Sequence, residues 1–270
     1  MAARSRILSR VWPVLLNVYA LALALVLVYP TIQLVIVAVS DDIVFPPRYF
    51  SLAPLRQLTP SFLASVRFSL ILGAAATLLL LVLCLPTAYA LERFRFRAQR
   101  LISVAMFIPF VVPGISYVAA VGALYIMLAP GMIGTFIGVL IPTSFLNLAW
   151  MARAIQGTLA TADPVCEEAA MTLGATRLHS FLSITAPQIA PGILVGSMVV
   201  FVNTSTAFVV PFFVGGIDAV TATVEIFREL GFHGLTPVLA AQSLLVEVVV
   251  MAMVIAAYLV SRSRFRGLVL

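Results

Sequence analysis

The chain has 270 residues, 63% of them hydrophobic and only 10% charged, with a formal net charge of +6 and a mean hydropathy of +1.15. A soluble domain carries about 25% charged residues, so this composition excludes a protein solvated mainly by water, and no soluble basic domain is left to bind nucleic acid. All 16 basic residues are arginine, which excludes a P-loop, whose phosphate cradle requires a lysine after its glycines.

A helix needs about 20 mostly apolar residues to cross the hydrocarbon. No charge interrupts the chain between Arg10 and Asp41, between Arg67 and Glu92, or between Arg100 and Arg153, the last gap being long enough for two crossings with a turn at Pro130-Gly131. Two further apolar stretches bring the expected spans to six, at roughly 12–39, 68–91, 101–128, 133–152, 191–215 and 237–260. At this length and hydropathy only helices satisfy every backbone group in lipid. The expected fold is therefore an all-α integral membrane protein, with 1–270 as a single transmembrane domain.

Span one follows Arg4, Arg6 and Arg10 and contains Ala22-Leu23-Ala24, which together imitate a signal peptide. A signal core runs about 7–15 residues, and this apolar run is about twice that, so it reads as a retained anchor. The next segment, Asp41 to Arg67, includes Phe45-Pro46-Pro47-Arg48-Tyr49-Phe50-Ser51-Leu52, where the paired prolines require extended backbone. Between spans two and three, Arg93, Phe94, Arg95, Phe96 and Arg97 alternate. They read as an interfacial anchor, rings at headgroup depth and guanidiniums among phosphates. Span three carries Pro109, Pro113 and Gly114, which should bend it, either for packing or around a pathway.

The segment 153–190 is polar and amphipathic. Asp163-Pro164 reads as an N-cap with proline at the first helical position, opening a helix that ends at Gly174, a left-handed C-cap. Glu167 and Glu168 fall in its early turns, where carboxylates favour the helix dipole. A second short helix, about Thr176 to Ile184, should stop at Pro187, with Leu178, Phe181 and Leu182 on one face. Helix, elbow, helix and stop form a device that can press an apolar face and a few charges into a groove of another protein.

Positive charge is biased to the cytoplasmic side. With the N-terminus inside, twelve arginines (4, 6, 10, 93, 95, 97, 100, 153, 177, 262, 264 and 266) lie inside, against four outside: Arg48, Arg56, Arg67 and Arg228. Both termini are then cytoplasmic, and anionic lipid headgroups are expected neighbours. Cys84 and Cys166 fall in different regions and His179 and His233 stand far apart, so no disulfide or metal constellation is expected. Glu247 is alone in the last span, where an ionisable group is a functional candidate by default. Asp218, Glu225 and Glu229 read as a wetted outer surface, with Glu225, Arg228 and Glu229 spaced to pair along a helix.

One motif ties these features together: Glu168-Ala169-Ala170, three residues, Gly174, nine residues, Ile184, then Pro187. This spacing resembles the coupling loop of the transmembrane permease subunits of type I ABC importers, and the resemblance extends over essentially the whole chain. Ala186 departs where that family usually has leucine. The resemblance implies an ATPase-coupling set of Glu167, Glu168, Ala169, Ala170, Gly174, Ile184 and Pro187. Glu168 would face a basic residue of the ATPase, Ala169 and Ala170 would permit close approach, and Gly174 would make the turn. It implies a non-enzymatic transport subunit of the bacterial inner membrane that itself binds no cofactor, ATP and Mg being held by a partner ATPase dimer. The other implied partners are a sister permease, forming a heterodimer, and an extracytoplasmic solute-binding protein.

Within that family, Phe45 to Leu52 and Ala207-Phe208-Val209-Val210-Pro211 are similar to permeases of the spermidine/putrescine group, which implies a polyamine as solute. Importers of aminoethylphosphonate, ferric iron or opines share much of this pattern. A polycation calls for carboxylates or aromatic faces, yet span five offers Asn203, Thr204, Ser205 and Thr206 and no acid. The candidate pathway residues are Pro113, Asn203, Thr204, Thr206 and Glu247. Two other classes compete. A proton-coupled secondary transporter would use Glu247 as relay, but such folds carry internal repeats, and none is visible here. A membrane enzyme would need a nucleophile–base pair or metal ligands, and the sequence offers neither.

Overall fold

The structure, a computed structural model, describes residues 2–44 and 46–265, with side chains over 15–44 and 46–259. Phe45, Arg266 and the side chains of Arg4, Arg6, Arg10, Arg262 and Arg264 lie outside the described residues. All regular elements among the described residues are helical, and by contacts the chain divides into two compact units.

The first unit comprises Met1–Thr59 with Glu229–Leu245. Its long helix α1 (Ala2–Ala38) exposes most of its apolar side chains over 15–31. Such a surface is stable against lipid or another subunit, not water. Beyond α1, Ser51 N–H donates to the Val39 carbonyl (2.8 Å) and an isolated bridge joins Ser40 to Phe50, closing the proline-containing loop. The short α2 (Ala53–Arg56) follows. Ala38, Ala240 and Ala241 form the small core of this unit, with Leu34, Val37, Leu55 and Leu244 around them.

The second unit comprises Pro60–Arg228 with Val246–Leu270. Helix α3 (Pro60–Arg93) starts eight residues before the expected span, with Pro60 in the first turn, where its missing N–H costs nothing. Gln99–Ala105 (α4), Ile108–Val111 (α5) and Gly114–Leu128 (α6) together occupy the third span. The expected bend there is a break of 104°. Val112 is extended (ψ 122°) because the Pro113 ring disfavours helical backbone before it, and Pro113 (ψ 123°) caps α6 instead of continuing α5. A 3₁₀ turn at Pro130–Met132 leads to α7 (Phe136–Leu159), whose N-cap Thr135 accepts from Gly138 N–H. The helix thus runs past Arg153, where the polar segment had been expected to begin.

Helix α8 (Pro164–Thr172) and the four-residue α9 (Arg177–Ser180) follow, then a π turn over Phe181–Thr185 that opens into α10 (Ala186–Ser205). Pro187 therefore does not stop the helix, contrary to the expectation from sequence, and Arg177–Ser205 is one apolar rod of 29 residues. The physical reason is the π turn. Ala186 N–H donates to the Phe181 carbonyl, five residues back, and this wider turn lies just where a proline ring and its absent donor would break an α-helical ladder. The fifth span accordingly begins well before residue 191. It ends earlier than 215 as well, because α10 stops at Ser205 and the short α11 (Val209–Val214) is a separate piece.

Helices α3, α7 and α10 pack as the core of this unit, burying Leu80, Cys84, Ala88, Met151, Ile155, Leu159, Ile189 and Val200. Gly192 and Gly196 let α10 approach α7 closely: a Cβ at Gly192 would lie 2.5 Å from the Ala154 carbonyl oxygen. Small residues four apart serve this purpose in membrane helix pairs. Beyond α11 come α12 (Ala222–His233) and α13 (Pro237–Phe265). Among the described residues five helices are long and apolar enough to cross a membrane, and the bent α4–α6 segment makes a sixth crossing if counted as one span.

Candidate functional site

Helix α8 has nine residues, too few to persist alone in water, so its ends and its anchorage explain its existence. Asp163 accepts from Val165 N–H at 2.9 Å, with Pro164 in the first turn. At the other end Gly174 adopts φ +98°, a region that disfavours any Cβ. Gly174 N–H donates to the Met171 carbonyl and Ala175 N–H to the Ala170 carbonyl, both at 3.0 Å. These are the paired bonds of a Schellman cap. The elbow foreseen from Gly174 is therefore present, and Thr176 restarts the helix by accepting from His179 N–H.

The two adjacent glutamates, grouped together in the sequence reading, have opposite environments. Glu168 is exposed, as is Ala169, while Ala170, Ile184 and Pro187 are half-buried. Glu167 is only 4% exposed. Its carboxylate accepts from the Tyr89 hydroxyl of α3 at Oε1 and from Thr185 Oγ1 at Oε2 (2.7 Å), and its backbone carbonyl accepts from Ser180 Oγ (3.0 Å). A buried carboxylate without donors is costly; here hydroxyls from two different segments supply them. Arg93 and Arg177 line the same 280 Å³ cleft beside Glu167 and Glu168. Arg93 Nη2 donates to the Ala162 carbonyl at 3.0 Å, fixing the entry to α8.

Tyr89 is the hub of this seat. Its ring meets Phe94 (6.1 Å) and Phe181 (5.1 Å) edge-on, and Arg177 lies over Phe94 at 5.3 Å. Arg93 and Phe94 thus serve the seat of α8 as well as the anchor role read from their alternation. Phe181 turns inward, whereas Leu178 and Leu182 remain exposed, so the face expected to hold all three is split. Tyr89, Ser180 and Thr185 were missed from sequence. A tyrosine at the end of an apolar span was the available signal for the first, and nothing marked the other two.

The candidate pathway residues do not assemble into one site. Pro113 is exposed at the helix break, and Asn203 and Thr206 are exposed near the end of α10. Thr204 is fully buried and accepts from Asn147 Nδ2 at 3.4 Å. Glu247 lies on the exposed face of α13. Asn147 joins Thr143 and Thr204 in a buried hydrogen-bonded group. Their sequence neighbours Ser144 and Ser205 are buried with no hydrogen-bond partner for either Oγ, Ser205 Oγ lying against Gly73 of α3. Of these, sequence inspection had noted only Thr204 and Ser205. At the break after α10, Thr221 and Thr223 hydroxyls donate to the carbonyls of Ala207 (2.8 Å) and Thr206 (3.2 Å). They supply partners to backbone that no longer continues a helix. The expected pairing of Arg228 with Glu225 or Glu229 does not occur: Arg228 donates to the Gly216 carbonyl (2.9 Å), Glu225 accepts from Ser61 (3.5 Å), and Glu229 pairs with His233 (3.2 Å).

Residues 85–265, which include the whole of this site, match the family described as binding-protein-dependent transport system inner membrane component. The chain belongs to that family. The putrescine transport system permease protein PotI of Escherichia coli (strain K12) is 30% identical over 209 residues, covering 75% of this chain and 74% of that protein. The sulfate transport system permease protein CysT of Salmonella typhimurium is 28% identical over 169 residues, which is 58% of this chain. That match spans 60% of the sulfate permease's length. A bacterial ABC transporter involved in the import of the acidic polysaccharide alginate has the same fold, with a TM-score of 0.68 at 16% identity, over 95% of this chain and 97% of that one. The chain is thus a multi-pass inner membrane component with the permease fold of type I ABC importers.

Proposed function

We propose that this chain is one permease subunit of an ATP-driven importer, with α8 as the helix that docks on a separate ATPase. The observation that carries the reading is the two-sided construction of α8. Its inner side is fastened through Glu167, while Glu168, Ala169 and Leu173, the last 89% exposed, face outward without partners from this chain. An outward face of small, acidic and apolar groups on a rigidly capped helix suits a groove in another protein. ATP and Mg reside on that ATPase dimer, and this chain binds neither. An extracytoplasmic binding protein delivers the solute, and a sister permease completes the pathway as a heterodimer. Lipid, and no nucleic acid, covers the remaining apolar surface.

The test is Glu168→Arg in the reconstituted complex. The variant should insert and assemble, yet hydrolyse ATP without driving uptake. Normal transport by it, or failure of any ATPase to co-purify with the unaltered chain, sinks the proposal.

For the solute, the outer-loop pattern and the putrescine permease relative support a polyamine. The interior favours a second reading, an oxyanion. The buried polar groups of α7 and the end of α10 are hydroxyls and one amide, with hydroxyls unpartnered at Ser144 and Ser205, and Glu247 is exposed. Neutral donors suit an anion or a hydroxylated solute better than a polycation. ATPase stimulation by binding protein loaded with putrescine, spermidine, sulfate or molybdate separates the two readings. Aminoethylphosphonate, ferric iron and an opine belong in the same panel.

A further inference from the structure

Resting on the importer reading, we infer that Glu167, Tyr89 and Thr185 form an internal link that carries displacement of α8 into α3 and α10. Glu167 is a positioning residue of the cycle and does not touch the ATPase.

Glu167 is buried, so no partner reaches it, and both of its carboxylate oxygens are occupied, one by α3 and one by the π turn that opens α10. The bonds are charge-assisted, which makes them shorter and stronger than neutral ones. Ser180 fastens the same residue through its backbone carbonyl, and Arg93 holds the carbonyl of Ala162 at the entry to α8. A push on the outer face of α8 therefore cannot be absorbed locally. Through the Glu167 side chain, beside the Ser180 and Arg93 bonds, it passes into α3, which is 34 residues long, and into the α10 rod that packs tightly on α7. The π turn places Thr185 in the same continuous helix as Pro187. The proline of the coupling motif thus lies in the helix that receives the stroke rather than ending it. Tyr89 is wedged edge-on between Phe94 and Phe181, so its hydroxyl cannot swing away from the carboxylate without disturbing two aromatic contacts.

The experiment measures solute taken up per ATP hydrolysed by the full complex in liposomes with its binding protein. The variants are Glu167→Ala, Glu167→Gln, Tyr89→Phe and Glu168→Arg. Glu167→Ala and Tyr89→Phe should retain the ATPase and hydrolyse ATP, while uptake per ATP falls roughly tenfold or more, the scale of one lost hydrogen bond to a charged group. Glu167→Gln keeps an acceptor and gains a donor, and should restore most of the coupling. If Glu167→Ala does not assemble, Tyr89→Phe and Thr185→Val, each lacking a single hydroxyl, decide the question by the same readout. Unchanged uptake per ATP with only a loss of thermal stability overturns the link, as does a glutamine variant no better than alanine. If Glu168→Arg uncouples while the Tyr89 and Glu167 variants stay coupled, the link is wrong and the importer reading stands. If Glu168→Arg also stays coupled, that reading fails and the link with it.

Discussion

Thr185, just before the first residue of α10, donates to a carboxylate that also binds α3, whereas Ser205, the last residue of the same helix, is buried with no partner. Both ends are polar and both are shielded from solvent, yet at one every oxygen of Glu167 has a donor, only Arg93 Nε beside it being left over, and at the other the hydroxyls themselves lack partners. Around Glu167 the two carboxylate oxygens and the backbone carbonyl are all used. At Thr204 the Asn147 amide makes one long bond to a hydroxyl and one to its own helix at Thr143 (3.0 Å), while Ser144 and Ser205, next in sequence to Thr143 and Thr204, have no partner. A closed network favours a single geometry, because each move breaks a bond. An open one loses little on rearrangement and gains if a ligand or a shifted helix supplies the missing partner. The difference separates a part made to transmit motion from a part able to change its pairing.

The largest effect is expected from Glu167→Ala, which leaves the buried Thr185 hydroxyl and the half-buried Tyr89 hydroxyl without an acceptor. At about 1–3 kcal/mol for a buried orphaned group and about 1 kcal/mol for the half-buried one, the unfolding transition in detergent should drop by an amount matching roughly 2–4 kcal/mol. Gly174→Ala should come next, at roughly 1–2 kcal/mol, because φ +98° is a conformation that a Cβ opposes. Its effect should appear as loss of uptake together with protease sensitivity of the 160–176 segment. Ser205→Ala should act in the opposite direction. It deletes an unpartnered hydroxyl, so stability should hold or rise by up to about 1 kcal/mol, while uptake falls if the open network serves the solute. A stability loss as large as that of Glu167→Ala would show that Ser205 is bonded and would erase the contrast between the two ends.

The asymmetry was only half legible in the sequence, for reasons of range. The caps of α8 are local signals: Asp163-Pro164 and Gly174 act on backbone within a few residues, and the helix begins and ends where they say. Hydropathy marks apolar stretches because lipid acts on every residue of a span, but it does not mark helix ends: the fifth stretch was expected at 191–215, and the helix there is Arg177–Ser205. Which of Glu167 and Glu168 turns inward is not local, since both suit the helix dipole equally and adjacent positions differ only by about 100° around the axis. The choice is made by Tyr89, 78 residues away. Pro187 was misread because proline is a local breaker, whereas a π turn upstream accommodates it within a longer rod. The 104° break at Pro113 was visible as a bend but not in size, which depends on what packs against each half. Asn147 went unremarked because a single amide in a charge-free run does not reveal that Thr204 faces it.

The smallest expected effect is the most decisive for the competing mechanism. A proton-coupled carrier needs an ionisable relay among interior polar groups, and Glu247 is the one acid in the last span. Its side chain is exposed and shares no hydrogen bond with the Thr204 cluster among the described residues. An ionised carboxylate at that depth costs about 2.5–3.5 kcal/mol wherever it meets hydrocarbon, so Glu247→Gln should leave insertion yield unchanged or improved. Uptake per ATP should stay within about twofold of the unaltered complex, with or without an imposed proton gradient. If uptake instead collapses in step with that gradient, the relay is real. The closed network at Glu167 would then be a fixed strut beneath a proton-driven carrier, and the contrast between the two ends of α10 would need a different cause.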